Sequence, residues 1–340
     1  MLLEKLCNAD GVSGDEDAIR NIIKEEIKKY ADSIETDRLG NLIAFKKGKN
    51  HDKKIMLAAH MDEVGFIISK ISEKGYLSFK KVGGIDTRVI LGKKVRFKNG
   101  TKGIIGVKAV HLLSDDELKS VPKISDLYID IGADNEEEAR KYVSPADYAT
   151  FDTVYEEIGG TKFKAKAIDD RCGCAAIAET LKTVPEYDMY VCFTTQEEVG
   201  LRGSTVCAER IKPDVALVVE GTTCADVFKT KAHQTVTACG KGVTLSFMDG
   251  RTITDRQHFE KLIKMAERHN IKVQLKQATS GGNDAGAIHL SAGGTVTASI
   301  SLPSRYIHAP AGVADLNDFE EMKKFINAYI TEIGGIMEWN

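Results

Sequence analysis

The sequence has no long apolar segment. No stretch of its 340 residues approaches the roughly 18 consecutive apolar residues that a membrane-spanning helix needs. The first residues, Met1 to Leu6, also lack the apolar run of a secretory signal peptide. We therefore expect a cytoplasmic protein with no membrane partner.

The sequence also lacks a basic surface pattern. The net charge is −3, and no basic stretch with interleaved aromatic residues is present, so we expect no nucleic-acid partner. There is a single tryptophan, Trp339, which gives little support to an aromatic platform for sugars. Apolar residues make up 42% and charged residues 29%, as in ordinary globular proteins, and the length allows more than one domain.

Cysteine is present but does not form a metal-binding or disulfide pattern. The seven cysteines are an odd number, and the closely spaced Cys172 and Cys174 have no second pair at the spacing of a zinc site. This pattern indicates reduced, mostly buried thiols, as expected in the cytoplasm.

The order of predicted elements indicates an α/β protein with an insertion. Residues 1–66 and 164–340 alternate between buried strands and amphipathic helices, which is typical of a sheet covered by helices. Residues 67–163 consist mainly of short alternating runs between glycine-rich turns, which predicts a small β-rich module. We therefore expect a discontinuous α/β domain interrupted by a β-rich domain.

The first predicted amphipathic helix has a typical start signal. Ser13 is followed three residues later by Glu16, and apolar residues then recur at helical spacing to about Tyr30. The pair predicts a capping box, in which the serine oxygen accepts from the Glu16 amide and the Glu16 carboxylate reaches back.

Residues with metal-ligand chemistry follow or precede the predicted core elements. His60 and Asp62 come after one buried strand, Glu197 and Glu198 after a second, and Glu220 after a third. His308 lies in the loop after a later strand, and Asp169 lies directly before a helix. Because ligands bind at the carboxyl ends of the strands in open α/β sheets, we expect these side chains to meet at one edge.

Such a set of side chains indicates a hydrolase with two metal ions. Two imidazoles and three carboxylates are enough to hold a pair of divalent ions, which can lower the pKa of a shared water. The mixed nitrogen and oxygen ligands favour zinc, cobalt or manganese over calcium or magnesium. Without cations, the edge would bring up to six acids together with no structural reason.

The adjacent acids Glu197 and Glu198 should have different roles. Neighbouring residues near a strand end point to opposite sides, so one should bind metal and the other should face the water as a general base. Asp62, two residues after His60, is placed to accept the second ring N–H of that histidine and so fix its tautomer.

Six segments resemble those of a known family, the cytosolic co-catalytic metallo-aminopeptidases of peptidase family 42. The likeness covers essentially the whole chain, including Gly83 to Asp86 in the inserted module. The segments are AAHMDEVGF (58–66), AIDDR (167–171), TQEEVG (195–200), VEGTT (219–223), GGNDAGAIH (281–289) and SRYIHAP (304–310).

The resemblance implies a role for each candidate residue. Asp169 would bridge two metal ions, His60 and Glu220 would complete one set of ligands, and Glu198 and His308 the other. Glu197 would be the general base and Asp62 would orient His60. Many members carry aspartate where this chain has Glu220, and the Asp169–Asp170 peptide is often cis in related enzymes.

The resemblance also implies a fold and an assembly. It implies a mixed-sheet, three-layer catalytic domain interrupted by a small β-barrel-like domain at residues 67–163. Members of the family form dimers through that inserted domain and then hollow tetrahedral dodecamers. We therefore expect a homo-oligomer that acts on peptides, cleaving N-terminal residues with a water activated by two metal ions and Glu197.

A glycine-rich loop is a further candidate for contact with substrate. It resembles a phosphate-binding loop but lacks the P-loop lysine, so we expect it to line the substrate site. Its residues are Gly281, Gly282, Asn283 and Asp284.

Three other functions remain open at this stage. A dipeptidase or carboxypeptidase would use the same metal core, and a glycoside hydrolase is a weaker alternative because that chemistry needs two carboxyl groups and no metal. Some relatives carry cellulase labels. A metal-stabilised scaffold without turnover is disfavoured because a structural site keeps no spare base beside the metal.

Overall fold

A computed structural model describes residues 1–336 of the chain. Trp339 and the end of the expected 164–340 segment lie outside these residues. The strands are β1 (Ser33–Thr36), β2 (Leu42–Lys46), β3 (Asn50–His60), β4 (Gly65–Ile71), β5 (Leu77–Val82), β6 (Lys94–Phe97), β7 (Lys102–Val107), β8 (Leu127–Asp130), β9 (Tyr148–Phe151), β10 (Glu156–Ile158), β11 (Lys162–Ala165), β12 (Tyr187–Thr194), β13 (Val215–Thr223), β14 (Val243–Ser246), β15 (Val273–Leu275), β16 (Val296–Ser304) and β17 (Gly312–Asp315). The helices are α1 (Leu2–Asn8), α2 (Asp17–Ile27), α3 (Thr87–Ile90), α4 (Asp115–Leu118), α5 (Glu136–Ala139), α6 (Ile168–Thr180), α7 (Arg202–Ile211), α8 (Arg256–Arg268), α9 (Ala285–Ile288) and α10 (Leu316–Ile336).

The largest sheet is mixed and has eight strands, in the order β1-β2-β12-β3-β13-β16-β14-β15. Strands β12, β3, β13 and β16 run parallel to their neighbours within this group. Strands β2 and β14 pair antiparallel with β12 and β16. The four parallel strands therefore end at the same edge of the sheet, where ligands of α/β proteins bind.

Helices cover both faces of this sheet. In β3, Ile55 and Leu57 pack in the larger core with α6 and α10, whereas Met56 and Ala58 face a smaller core with α7 and α9. The second half of β3, from Ile55 to Ala59, is apolar on both sides because both of its faces are buried there. The three-layer α/β fold is thus confirmed.

Six strands of the inserted segment close into a barrel, in the order β4-β5-β8-β7-β6-β9. Its core is separate from those of the main sheet and includes edge-to-face contacts of the Phe66 ring with Phe79 and Phe151, at centroid distances of 5.0 and 5.3 Å. Strand β10 is not part of the barrel. It belongs to a separate small sheet, in which β10 pairs with β11 and β11 pairs with β17. The barrel-like insertion is therefore also confirmed as a feature of the fold.

The helices do not include a membrane-spanning segment. Among residues 1–336, no helix is both long enough and apolar enough to cross a bilayer.

Candidate active site

The parallel strands bring the five expected ligand side chains to one edge of the main sheet. His60 is the last residue of β3, and Glu220 lies near the end of the neighbouring β13. Glu198 follows β12, and His308 follows β16. Asp169 lies at the start of α6, where it and Asp170 have non-helical backbone angles and are joined by a cis peptide bond.

His60 contacts two of the acids. Its Nε2 atom lies 3.3 Å from Asp169 Oδ1 and 3.5 Å from Glu220 Oε2. The imidazole is only 1% exposed, and its other nitrogen, Nδ1, lies 3.1 Å from the Asp62 carbonyl oxygen and 3.4 Å from Asp62 Oδ1. Asp62 therefore contacts His60 on the side of the ring opposite the acids, as an orienting role requires.

His308 contacts two acids on the other side of Asp169. Its Nε2 atom lies 3.1 Å from Glu198 Oε1 and 3.6 Å from Asp169 Oδ2. Its Nδ1 atom lies 2.9 Å from the carbonyl oxygen of Gly84, in the loop after barrel strand β5. The barrel therefore helps to fix the tautomer of His308.

Asp169 is shared by the two groups. Oδ1 faces His60 and Oδ2 faces His308, as expected of a carboxylate that bridges two ions. The backbone N–H of Gly221 donates to Oδ1 at 3.2 Å. A side chain at Gly221 would place its Cβ 2.8 Å from Asp169 Cβ, so this close approach requires glycine.

Asp170 also comes within ligand distance of His60 and Glu220, but its carboxylate is already used. Its oxygens accept hydrogen bonds from the backbone N–H groups of His60 at 3.1 Å and Gly173 at 2.8 Å. These contacts hold the start of α6 against the end of β3. The Asp169 carboxylate, by contrast, faces both histidines.

The electrostatics of this edge fit bound cations. The Oε1 atom of Glu220 is buried and, within the described part of the chain, has no hydrogen-bond partner. Burial raises the pKa of Glu220 and of Asp170 well above the usual carboxyl range, and neighbouring acids raise both further. Burial alone lowers the pKa of His308, but hydrogen bonds to Asp169 and Glu198 raise it to about 11. A buried oxygen without a donor destabilises the fold unless it is paired, and a divalent cation satisfies this requirement.

Glu197 differs from its neighbour in its contacts. Glu198 points to His308, whereas no cation or imidazole of residues 1–336 lies within ion-pair distance of Glu197. Burial raises the pKa of Glu197 to about 9, and the charges of Asp284 and Glu198 contribute to the rise. The two acids therefore differ in the way that one ligand and one base would.

Asp62 has a second role that sequence reasoning missed. Its Oδ1 atom accepts a hydrogen bond from the backbone N–H of Glu197 at 3.0 Å, and its Oδ2 atom accepts one from that of Glu198 at 3.1 Å. It therefore ties the loop after β12 to the end of β3, as well as contacting His60.

The prediction of a capping box at the start of the first amphipathic helix, α2, was wrong. Helix α2 begins at Asp17 without a side-chain cap. Ser13 instead donates its hydroxyl to Asp62 Oδ2 at 2.6 Å, and Glu16 accepts the backbone N–H groups of Gly14 and Gln196 at 2.8 and 3.1 Å. A hydrogen bond to a buried carboxylate is stronger than one to a helix amide, and it determines the direction of the serine.

A solvent-open cleft lies over the two histidine–carboxylate groups. Its walls include Gly281, Gly282 and Asn283, as expected from the sequence, and two cations that sequence reasoning missed, Arg251 and Lys276. Asp284 does not line it, which corrects our expectation. Asp284 lies at the start of α9, beneath the loop. It is 0% exposed and accepts a hydrogen bond from the Thr194 hydroxyl at 2.6 Å.

Comparison with known proteins identifies the family. The family model described as M42 glutamyl aminopeptidase matches residues 40–325, which is most of the chain. The chain belongs to the M42 family. It is therefore an aminopeptidase-type hydrolase of peptide bonds, and membership implies the use of divalent metal.

Individual M42 relatives are similar over their full lengths. A protein of Acetivibrio thermocellus with an aminopeptidase name is 41% identical over 329 residues, covering 96% of each chain. The TET aminopeptidase from Thaumarchaeota archaeon SCGC AB-539-E09 is 36% identical, with a TM-score of 0.95 over 99% of this chain and 98% of that one. The TET1 peptidase of Pyrococcus horikoshii, which assembles into a tetrahedron or a large octahedral shell, is 34% identical, with a TM-score of 0.86 over 97% and 98%.

Proposed function

We propose that this M42 chain is an aminopeptidase that removes N-terminal residues from short peptides with the help of two divalent ions. The observation that carries the proposal is the shared carboxylate of Asp169, which contacts His60 through one oxygen and His308 through the other. Such a carboxylate, at the floor of an open cleft, gives two ions adjacent positions beside a substrate.

The ligand sets follow from the two groups of contacts. His60, Asp169 and Glu220 would hold one ion, and His308, Asp169 and Glu198 would hold the other. Bound divalent ions supply Lewis-acid polarisation of the scissile carbonyl and lower the pKa of water. Zinc, cobalt and manganese fit this mixed nitrogen and oxygen set.

Glu197 would move the proton in the proposed reaction. It lines the cleft beside Glu198 and keeps its carboxylate out of the imidazole contacts. In the proposed reaction, this carboxylate accepts a proton from the attacking water and then donates it to the departing amine nitrogen. Burial raises the pKa of Glu197, and the positive charge of two bound ions would oppose this rise and favour the ionised carboxylate that the reaction needs.

Replacing Glu197 tests this role. In Glu197→Gln, we expect unchanged metal content, measured by elemental analysis, and a kcat reduced by about 10²- to 10⁴-fold, the usual scale for loss of a general base. Glu73→Gln, at an exposed position in the barrel, is the matched control and should retain full activity. Near-normal turnover of Glu197→Gln would remove this residue from the mechanism.

Two substrate comparisons separate the alternative functions. An aminopeptidase needs the free amine of its substrate, so acetylation should abolish cleavage, whereas continued cleavage would indicate another peptidase. A cellulose oligomer assayed beside amino-acid anilides tests the glycoside hydrolase alternative. Activity towards the oligomer that survives a chelator would support that alternative.

The cleft also indicates a preference for an acidic first residue. Arg251 and Lys276 both line it, and within residues 1–336 no carboxylate lies within ion-pair distance of either. Two cations without a carboxylate partner at the wall of a binding cleft attract a negatively charged side chain. We therefore include glutamate or aspartate at the peptide N-terminus in the proposal.

A charge reversal tests the preference. For the wild-type enzyme, we expect kcat/KM to be highest for glutamyl or aspartyl anilides among acidic, leucyl and lysyl substrates. Arg251→Glu should lower the ratio of acidic to lysyl activity by about 10-fold or more, since one close charge pair contributes a kcal/mol or more. Arg256→Glu, exposed on α8, is the control. An unchanged ratio in Arg251→Glu would exclude this residue from specificity.

We also propose that the chain forms a homo-oligomer, dimers first and then dodecamers, through the β-rich segment 67–163. The barrel supports this proposal because five large apolar side chains in β7 or between β7 and β8 are at least half exposed: Ile104, Val110, Leu112, Leu118 and Val121. The mass of the particle in solution tests it, and Leu112→Asp should shift that mass towards smaller species. A cytoplasmic location belongs to the same proposal and is supported by the seven free cysteines.

A further inference from the structure

A second cluster of reactive side chains lies beside the active-site edge. Cys224 directly follows β13, and Cys239 precedes β14. Their Sγ atoms lie 3.6 Å apart. Cys224 is buried, whereas Cys239 is partly exposed, so small solutes can reach the pair from one side.

Asp226 and Arg305 complete this cluster. The Cys224 thiol donates to Asp226 Oδ1 at 2.7 Å, and the backbone N–H of Cys239 donates to Oδ2 at 3.2 Å. The Arg305 guanidinium donates to both oxygens, at 2.7 and 2.6 Å. The Asp226 carboxylate is thus neutralised and held on both of its oxygens.

We propose that Cys224 and Cys239 are an oxidisable dithiol that forms a disulfide with a peroxide and so adjusts the active-site loop. In this reaction, each thiol loses its proton and the pair loses two electrons as the S–S bond forms. The peroxide O–O bond breaks, and its two oxygens leave as two water molecules with those electrons and protons when the oxidant is hydrogen peroxide.

Distance and a hydrogen bond favour this reaction. A disulfide has an S–S length of about 2.05 Å, so the sulfurs must approach each other by only about 1.5 Å. A hydrogen bond from the Cys239 thiol lowers the pKa of Cys224, against the opposing effects of burial and of the hydrogen bond to Asp226. One sulfur attacks the oxidant, and its neighbour then attacks that sulfur to close the disulfide.

A metal ion fits this cluster less well than a disulfide. Cys224, Asp226 and Cys239 lie close enough to be three ligands, but a structural zinc site needs four. The only carboxylate among the three is already paired with Arg305, whose positive charge opposes a cation. Unlike Glu220, Asp226 has a donor for each of its oxygens.

The dithiol contacts the strands on both sides of the loop that carries His308. Cys239 Sγ lies 3.6 Å from the carbonyl oxygens of Pro303, in β16, and Val313, in β17. Arg305, which binds Asp226, begins this loop. Disulfide formation removes the Cys224 thiol that donates to Asp226. It also shifts the Cys239 sulfur, which lies between β16 and β17. Its effect on activity rests on the proposed function, whereas disulfide formation does not.

Oxidation of the full-length wild-type protein tests the dithiol. Reduced protein is treated with hydrogen peroxide, its remaining thiols are alkylated without unfolding and again after unfolding, and its peptides are analysed by mass spectrometry. We expect a peptide pair joined through Cys224 and Cys239 that dithiothreitol separates. Cys192 and Cys207 are a control inside the same molecule, because they also contact each other but are both 0% exposed, and they should stay reduced.

Several outcomes would overturn the inference. One is full alkylation of Cys224 and Cys239 after oxidation, and another is oxidation to sulfinic acid with no joined peptide. Added zinc that binds one further ion per subunit and blocks alkylation of both cysteines would show that the cluster is a metal site instead.

The activity of the oxidised protein tests the link to His308. We expect kcat/KM to change by about 10-fold on oxidation, the usual scale for a contact one step from a metal ligand, and to return with dithiothreitol. Cys239→Ser should respond to neither reagent. A disulfide without a change in activity would overturn the link alone, whereas an enzyme inactive in both states would argue against the proposed function and leave the disulfide result intact.

Discussion

The active-site edge carries two clusters of side chains with metal-ligand chemistry, and they balance their charges differently. Around Asp169, within residues 1–336, no lysine or arginine lies within ion-pair distance of the ligand carboxylates, and the buried Oε1 atom of Glu220 has no hydrogen-bond partner. Around Asp226, the guanidinium of Arg305 neutralises the only carboxylate. We therefore expect metal ions to bind the first cluster, which has no such cation, and not the second, whose carboxylate is already paired.

Removing the central acid of each cluster should separate them most strongly. We expect Asp169→Asn to lose bound metal and to lower kcat/KM by about 10³-fold or more, since it removes several kcal/mol of stabilisation by the ions. Asp226→Asn should keep the metal content of the wild-type protein. Elemental analysis per subunit measures both, and metal loss in the Asp226 variant equal to that in the Asp169 variant would break the comparison.

Chelation should destabilise the folded protein through the first cluster alone. Ions at about 100 times their dissociation constant stabilise a protein by about 2.7 kcal/mol each. For a chain of this size, we expect removal to lower the Tm by several degrees, measured by calorimetry. Asp169→Asn should show little response to a chelator, and a full response in that variant would place the stabilising ion elsewhere.

The pH dependence of the metal-free protein should show where charge is unbalanced. In the first cluster, the pKa of Glu197 is raised to about 9 and that of His308 to about 11. A group whose pKa is raised by folding stabilises the protein below its unfolded pKa, and this stabilisation is lost as the pH rises through the folded value. We therefore expect the metal-free protein to lose stability as the pH rises, from about 5 to about 9 through Glu197 and from about 6.5 to about 11 through His308, by up to about 1.4 kcal/mol per pH unit for each proton released.

Bound ions should reduce this dependence, because they replace the protons that the cluster holds. Urea unfolding at several pH values, with and without metal, measures the difference. The same slope in both forms would show that cations and protons do not compete at this cluster.

The smallest expected effect concerns the support of Asp62. Ser13→Ala removes one donor to Asp62, while the Glu197 and Glu198 amides remain. We expect kcat/KM to fall by about 10-fold, the lower end for contacts one step from a metal ligand. Ser125→Ala removes a similar serine–aspartate hydrogen bond at an exposed site and is the control. Ser13→Thr should restore activity, and equal losses in both alanine variants would indicate a general loss of stability.

Much of the first cluster was predictable because it depends on a local relation. His60 and Glu220 lie at or near the ends of core strands, Glu198 and His308 follow core strands, and the carboxyl ends of parallel strands meet at one edge. The apolar run of β3 indicated a strand buried on both faces, and the change of pattern after residue 66 indicated the barrel. The family likeness added the expectation that Glu198 binds metal and Glu197 acts as the base, a choice that strand geometry alone leaves open.

Other contacts were not predictable because they join segments that no local pattern relates. Ser13 and Asp62 are 49 residues apart, and Asp226 and Arg305 are 79 apart. Ser13 had the residue type and spacing of a helix cap, but a buried carboxylate competed for its hydroxyl. Asp284 belonged to a motif typical of substrate loops, but packing placed it under the loop.

The sequence itself determines the order of strands along the chain, the acids and histidines at or after the strand ends, and the apolar faces that bury the sheet. These are local properties, because they depend on the period of the apolar pattern and on where each strand ends. Only the tertiary structure decided which carboxylate is shared, which oxygen lacks a partner, and which cysteines touch. Those properties depend on distances of a few ångströms between segments, and packing of the two cores and the barrel sets these distances.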